Sequence, residues 1–375
     1  MKQTLFNNLK NIWGWKTSRK IVVISVDDYG NVRLASKKAR EELNKAGLKV
    51  QSRFDAYDTL ETREDLEILY QTLSSVKDKN GRNAVFTPFA VPCNIDFEKM
   101  EAINYKSYHY ELLPETYKKL ASEESKVYDG TWSLWQEGIN NGFLHPQFHG
   151  REHLNVKFLE DKLLSKDKEI LTVLKNRSYT SISNASDIRL NYSEAFDFWE
   201  VAENIKLQEI LKDGLLQFEK VYGYRASHFI PPSSKINNLH YPLLWEEGIK
   251  YVDTNLIHTQ HNGLGKYSKT INYTGKKQKE GQINMVRNVV FEPTEDRGID
   301  WVNFSLKQIE AAFRWKQPAI ISSHRVNFCG RIDSENRKKG INALNELLKQ
   351  IIKKWPDVEF MAANELGDLI AQSKN

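Results

Sequence analysis

The stretch Lys20-Ile21-Val22-Val23-Ile24-Ser25-Val26-Asp27-Asp28-Tyr29-Gly30 restricts the possible folds of this chain more than any other. A short, nearly unbroken β-branched run is the mark of a strand buried on both faces, as in parallel sheets and α/β barrels. Such folds keep their chemistry at the carboxyl ends of their strands, and this strand ends in two adjacent carboxylates. Neighbouring side chains on an extended backbone point to opposite faces. Asp27 and Asp28 are therefore expected to do two different jobs at one site once Gly30 lets the chain turn. The plainer alternative is a pair of solvated acids capping the next helix.

Further apolar runs of strand length cover residues 83–91, 227–230, 250–253, 285–291, 318–323 and 358–362, and 50–57 is an ambiguous extended piece. Between them, helical spacing of apolar residues is found over 34–46, 62–76, 156–174, 195–222, 239–247, 305–316 and 336–355. About seven strand–helix alternations without a linker predict one closed or nearly closed α/β barrel over residues 20–375. Residues 94–141 and 180–191 break the rhythm as insertions. The first is rich in aromatic residues from Tyr105 to Trp135, and Trp132 and Trp135 are candidates for a platform on which a sugar face stacks. The competing reading is that these rings only pack the insertion down.

The charge balance, 54 basic against 49 acidic residues, gives a net +5 with no dense basic block, which argues against nucleic-acid binding. Two distant cysteines, Cys93 and Cys329, make neither a disulfide framework nor a cysteine metal motif. Residues 1–19 lack the continuous apolar core of a secretory signal, and no apolar stretch is long enough to span a bilayer. The expectation is a cytoplasmic protein. Within 1–19, Leu5, Phe6, Leu9, Ile12 and Trp13 recur at helical spacing with lysines between them. Such a segment either packs its apolar face on the domain or touches a membrane surface.

The second informative stretch is Phe143-Leu144-His145-Pro146-Gln147-Phe148-His149-Gly150. On a fully extended strand its two histidines would stand roughly 13 Å apart, too far to share an ion. One helical turn beginning at Pro146 would bring them onto one face. His145, His149 and one carboxylate then form a three-ligand site with a position left for water. A divalent metal there makes hydroxide available near neutral pH, and a second carboxylate can take the proton. Asp27 and Asp28 supply one of each. His324 closes the strand Pro318-Ala319-Ile320-Ile321-Ser322-Ser323 and is the candidate for protonating a leaving group. His153, four beyond His149, could extend the cluster, but is read first as a surface residue of the following helix.

Taken together, Val26-Asp27-Asp28-Tyr29-Gly30, the two spaced histidines, a Pro-Pro strand end and a late strand ending in histidine resemble the NodB-homology polysaccharide deacetylases. The resemblance runs from about Lys20 to Leu369. It implies a distorted (β/α)7 barrel and metal-dependent removal of an acetyl group, most often N-acetyl, from a sugar or oligosaccharide. It also implies Asp27 as the base, Asp28, His145 and His149 as metal ligands, and His324 as the acid. Zinc suits such a donor set, with Co, Ni, Fe or Mn as alternatives. The third motif of the family, Arg-x-Pro-Tyr, becomes Phe229-Ile230-Pro231-Pro232-Ser233 here. That leaves Arg225, or else Arg325, to position the base and puts Pro232 beside the substrate. A catalytically idle sugar-binding barrel and an amidase or glycosidase on a similar barrel are the competing readings.

Overall fold

The apolar run at Lys20 becomes the centre of a nine-stranded sheet in the computed structural model, which describes residues 2–48, 50–179 and 191–373. Its strands are β1 (Lys20–Tyr29), β2 (Phe86–Ala90), β3 (Gln147–Phe148), β4 (His228–Phe229), β5 (Tyr251–Asp253), β6 (Ile283–Met285), β7 (Val289–Val290), β8 (Ala319–His324) and β9 (Val358–Met361). The order is β6-β5-β4-β3-β2-β1-β8-β7, and β9 pairs with the first residues of β1. Every pairing in this sheet is parallel. The expected barrel is present, curled around an interior but with a seam between β6 and β7. These two strands are neighbours in sequence that pair with β5 and β8 and not with each other.

Side-chain alternation along β1 separates inside from outside. Ile21 and Val23 join Phe89, Ile230, Tyr251 and Ile320 in the barrel interior, whereas Val22, Ile24 and Val26 pack with the helices around it. All of β1 beyond Lys20 is buried, which is why the run carries no polar alternation. By the same alternation Asp27 falls on the interior side, at the carboxyl-end mouth.

Three elements differ from expectation for local reasons. The apolar run 285–291 is two short strands, because the chain crosses the seam at Val286-Arg287-Asn288. The helix expected over 156–174 is broken into Val156–Leu164 and Lys168–Lys175 by Lys166, whose φ is +51°. The helix expected from 195 begins only at Asn204, and Phe196 and Phe198 are buried ahead of it. Apart from Asn191, the insertion 180–191 lies outside the described residues.

The aromatic insertion folds as packing rather than as a platform. Trp135 has no exposed surface and its indole N–H donates to Glu61 and to the Tyr117 hydroxyl, each at 3.1 Å. Trp132 stacks on Tyr117 at 6.2 Å and leans on Tyr222. Arg325 is equally buried, tied to Asp58 and Glu61.

The N-terminal helix Lys2–Leu9 lies against the helix Trp301–Arg314 with an inverted polarity. Asn7 and Asn11 are buried, and Asn11 accepts a 2.8 Å bond from Asn288 in the seam. Leu5, Phe6, Leu9 and Trp13 face outward.

Trp135→Ala should lower the unfolding free energy by about 3–5 kcal/mol in urea titration, the cost of deleting a fully packed indole. A tryptophan standing in a sugar cleft would change it by no more than about 0.5 kcal/mol.

Candidate active site and metal centre

The mouth is built where β1 stops behaving as a regular strand. Val26 pairs with Pro88 but Tyr29 with Ala90, so one extra residue is inserted in β1. Asp28 has a φ of +76°, a left-handed conformation that aspartate tolerates better than most residues. Such a bulge re-aims a side chain. Alternation alone would send Asp28 outward among the helices. The bulge instead brings it into the same cleft as Asp27.

Asp28 meets two imidazoles there. Its Oδ1 lies 3.5 Å from Nε2 of His149 and 3.1 Å from Nε2 of His153. All three side chains are buried, and their donor atoms lie within 4.8 Å of one another. His149 follows β3, and Gly150 then turns the chain with φ +100°; a Cβ there would sit 3.2 Å from the Glu152 carbonyl oxygen. That turn folds His153 back beside His149, with ring centres 5.0 Å apart.

The tautomer of His149 suits metal binding. Nδ1 bonds the Ile230 carbonyl at 2.8 Å, so it carries the proton, and the buried Nε2 has no hydrogen-bond partner among the described residues. An imidazole fixed by a carbonyl at one nitrogen and bare at the other is a ready ligand. Ligands about 2.0–2.1 Å from a tetrahedral ion stand roughly 3.3 Å apart, and the observed separations bracket that spacing. Burial pushes the Asp28 carboxyl up, but His153 and His149 outweigh it and hold it well below the usual carboxylate range. Burial lowers His153, which favours the neutral, coordinating form. The residues present fit a divalent metal.

His145 does not belong to this group. The segment around Gln147 is strand, so the four-residue separation is an extended one and the helical turn expected at Pro146 does not form. The His145 ring bonds Asn364 at 3.0 Å instead. The pair brought together is His149 and His153, and His153 is buried rather than the surface residue expected.

Opposite the triad, Asp27 pairs in register with His324 across β1 and β8, and His324 Nε2 stands 3.8 Å from Asp27 Oδ2. Arg287 Nη1 donates to both Asp27 oxygens at 2.9 Å, and its Nε lies 3.4 Å from Asp253. Asp253 in turn bonds His228 at 2.7 Å. His324 Nδ1 bonds Glu292 at 2.6 Å, and Glu292 is itself held by Arg53 and Asn327. Burial alone would lower the His324 imidazole; Glu292, then Asp28 and Asp27, overcome it and raise it to about 9.

The arginine beside the candidate base is thus Arg287. Arg225 is exposed and paired with Glu219, and Arg325 is consumed by Asp58 and Glu61. Arg287 and Glu292 were readable as charges interrupting or closing an apolar run, but nothing in the spacing tied them to Asp27 or His324. Pro231, Ser233 and Ser234 line the cleft while Pro232 is buried, and among the cleft-lining residues neither Trp132 nor Trp135 appears. The aromatic ring in the cleft is Phe54, edge-on to His324 at 5.0 Å. The cleft has a volume of about 380 Å³, within the usual range for a small-ligand site.

No family model and no curated protein matches the chain. Among solved structures, it is similar to a protein from Parabacteroides distasonis described as a glycoside hydrolase or deacetylase. The TM-score is 0.51 at 10% identity, covering 96% of this chain and 72% of that one. A Mycobacterium smegmatis protein described as a polysaccharide deacetylase aligns with TM-score 0.47 and 13% identity over 96% and 94%. A family 4 acetyl xylan esterase from Clostridium thermocellum, solved with cobalt, aligns with TM-score 0.35 and 11% identity over 93% and 91%. At these identities the likeness is one of fold: a curled parallel-sheet α/β barrel.

Zinc titration by calorimetry should show one site in the parent chain and in His145→Ala, and none in His149→Ala or His153→Ala. Loss of binding in His145→Ala with retention in His153→Ala would reverse the assignment. A second outcome concerns pH. An imidazole held at about 9 rather than 6.5 stabilises the fold fully below pH 6.5, and that contribution disappears as pH rises through 9. The urea midpoint of the metal-free chain should fall across this window, and fall less in Glu292→Gln.

Proposed function

We propose that this protein is a metal-dependent carbohydrate deacetylase that hydrolyses an N-acetyl group from a sugar or short oligosaccharide. The observation that carries the proposal is the cleft itself. A carboxylate paired with arginine and an imidazole held by a glutamate face each other at 3.8 Å, and a donor set of two histidines and one aspartate lines the same cleft. An acid and a base on one wall are what amide hydrolysis requires, since one proton must leave water and another must reach the departing amine.

Asp28, His149 and His153 would hold the metal. When bound, it supplies a Lewis acid for the acetyl oxygen and raises the acidity of water. Asp27 is the base and takes the proton from the attacking water. Arg287, bonded to both of its oxygens, fixes the carboxylate in place. His324, raised to about 9 by Glu292, carries the proton that goes to the nitrogen as the C–N bond breaks. Acetate and a free amino sugar are the products. Phe54 offers the ring against which a pyranose face packs, and Arg33, Ser193 and Ser234 supply polar edges of the cleft.

Support for a sugar substrate over other amides comes from the barrel type together with this cleft. The fold is shared with the Parabacteroides protein, whose description is of a glycoside hydrolase or deacetylase.

The test is acetate release from a panel of N-acetylated mono- and oligosaccharides by the zinc-loaded chain. Asp27→Asn and His324→Ala should each lower kcat by about 10²- to 10⁴-fold with metal content unchanged. Saturable sugar binding without acetate release would instead make this an idle sugar-binding barrel.

A further inference from the structure

The N-terminal helix presents its apolar side to solvent, and the structure shows a second feature of the same kind next to it. The strands Ile257–His261 and Tyr267–Ile271 form a two-stranded ribbon outside the barrel sheet. Ile257 and Ile271 are cross-strand partners on one face of it, 60% and 67% exposed. Leu264 caps its turn, also exposed. A soluble ribbon would carry polar residues at such positions.

The two features adjoin. Phe6 and Leu256 line one cleft, and that cleft shares Ile230, Ser234 and Arg287 with the candidate active site. At the other end, the Trp15 amide donates to the Thr274 carbonyl at 2.8 Å, which ties the N-terminal segment to the chain just past the ribbon; Trp13 and Tyr273 are both exposed. The result is an apolar face that starts beside the catalytic mouth at Phe6 and Leu256 and runs toward the amino ends of the strands, where the Trp13 carbonyl accepts from Gln317 just ahead of β8.

Its charge is one-signed. Residues 1–18 contain three lysines and no acid, and residues 255–273 contain two lysines and no acid, in a chain that is balanced elsewhere. Lys269 stands on the same ribbon face as Ile257 and Ile271 by strand alternation. Lys10, Lys16, Lys266 and Lys269 make no ion pair with any acid among the described residues.

We propose that this face docks on an anionic phospholipid surface, with Leu9, Trp13, Ile257 and Ile271 entering the headgroup boundary and the lysines engaging lipid phosphates. Apolar residues flanked by lysines free of acidic partners are what an interfacial segment needs, each lysine near such a surface contributing a tenfold or smaller gain in affinity. Self-association fits the same face poorly, since a two-fold contact would bring its positive charges against themselves. Among the described residues no helix is long and apolar enough to cross a membrane, so contact by this route is peripheral. Docking would hold the catalytic mouth beside substrates attached at the lipid surface. Membrane contact involves no catalytic step, so its failure would leave the deacetylase reading untouched.

The test is co-sedimentation of the whole chain with phosphatidylcholine vesicles, with and without phosphatidylglycerol. The parent should bind the anionic vesicles at least about tenfold more tightly than the neutral ones, and high salt should release it. Leu9→Ser with Trp13→Ser, and separately Ile257→Ser with Ile271→Ser, should each weaken binding by about tenfold. Lys266→Glu with Lys269→Glu should do the same without touching an apolar residue. No binding by the parent, or binding by all three variants equal to that of the parent, overturns the proposal. So does a dimer in sedimentation velocity that these substitutions dissociate.

Discussion

The bulge at Asp28 is the constraint on which the rest of the site depends. A regular β1 would send one aspartate into the barrel mouth and the other out among helices, where an ionised carboxylate would have to be buried without partners. One inserted residue and a left-handed φ place both on the same side. Left-handed backbone at a non-glycine residue costs on the order of 1–3 kcal/mol and persists only where the surroundings over-determine it. Here the surroundings are two imidazoles within ion-pair distance, and Gly30 two residues on, whose N–H donates to Glu61 at 3.1 Å.

Around that bulge the charges are arranged as two ladders that meet at the cleft. One runs from Asp27 through Arg287 and Asp253 to His228 and descends into the barrel. The other runs from His324 through Glu292 to Arg53 and lies toward the rim. Each buried charge has an opposite partner, which is the condition for keeping charges in a core at all. The two ladders hold Asp27 and His324 facing each other at 3.8 Å, each fixed by its own partner on the far side. In the proposed reaction, that separation of duties would let one wall of the cleft accept a proton and deliver another.

The open seam explains why Arg287 can take this position. An arginine in the middle of a hydrogen-bonded central strand would point into close-packed side chains. Between β6 and β7 the chain leaves the ladder for residues 286–288, and Asn288 bonds the Pro318 carbonyl and the Ile320 amide on the β8 side and the Asn11 side chain. The N-terminal segment therefore closes the seam with its polar side. Its apolar side, Leu5, Phe6, Leu9 and Trp13, is exposed.

Local pattern was enough to establish the barrel, because strand burial and helix amphipathicity are periodic in the chain itself. It also picked out Asp27, Asp28 and His324 as residues of the mouth, since each ends an apolar run. It went wrong at His145, whose spacing to His149 was correct for a helix and useless in a strand. It passed over His153, which reaches Asp28 only because Gly150 turns the chain back. The partners of Asp27 and His324 lie 260 and 32 residues away, at Arg287 and Glu292. Such contacts carry no local signature: they follow from which strands become neighbours in the barrel and from where it fails to close. The sequence by itself determined the fold and the types of group at its mouth; the tertiary structure alone decided which histidines meet which acid, because only strand pairing brings them within reach.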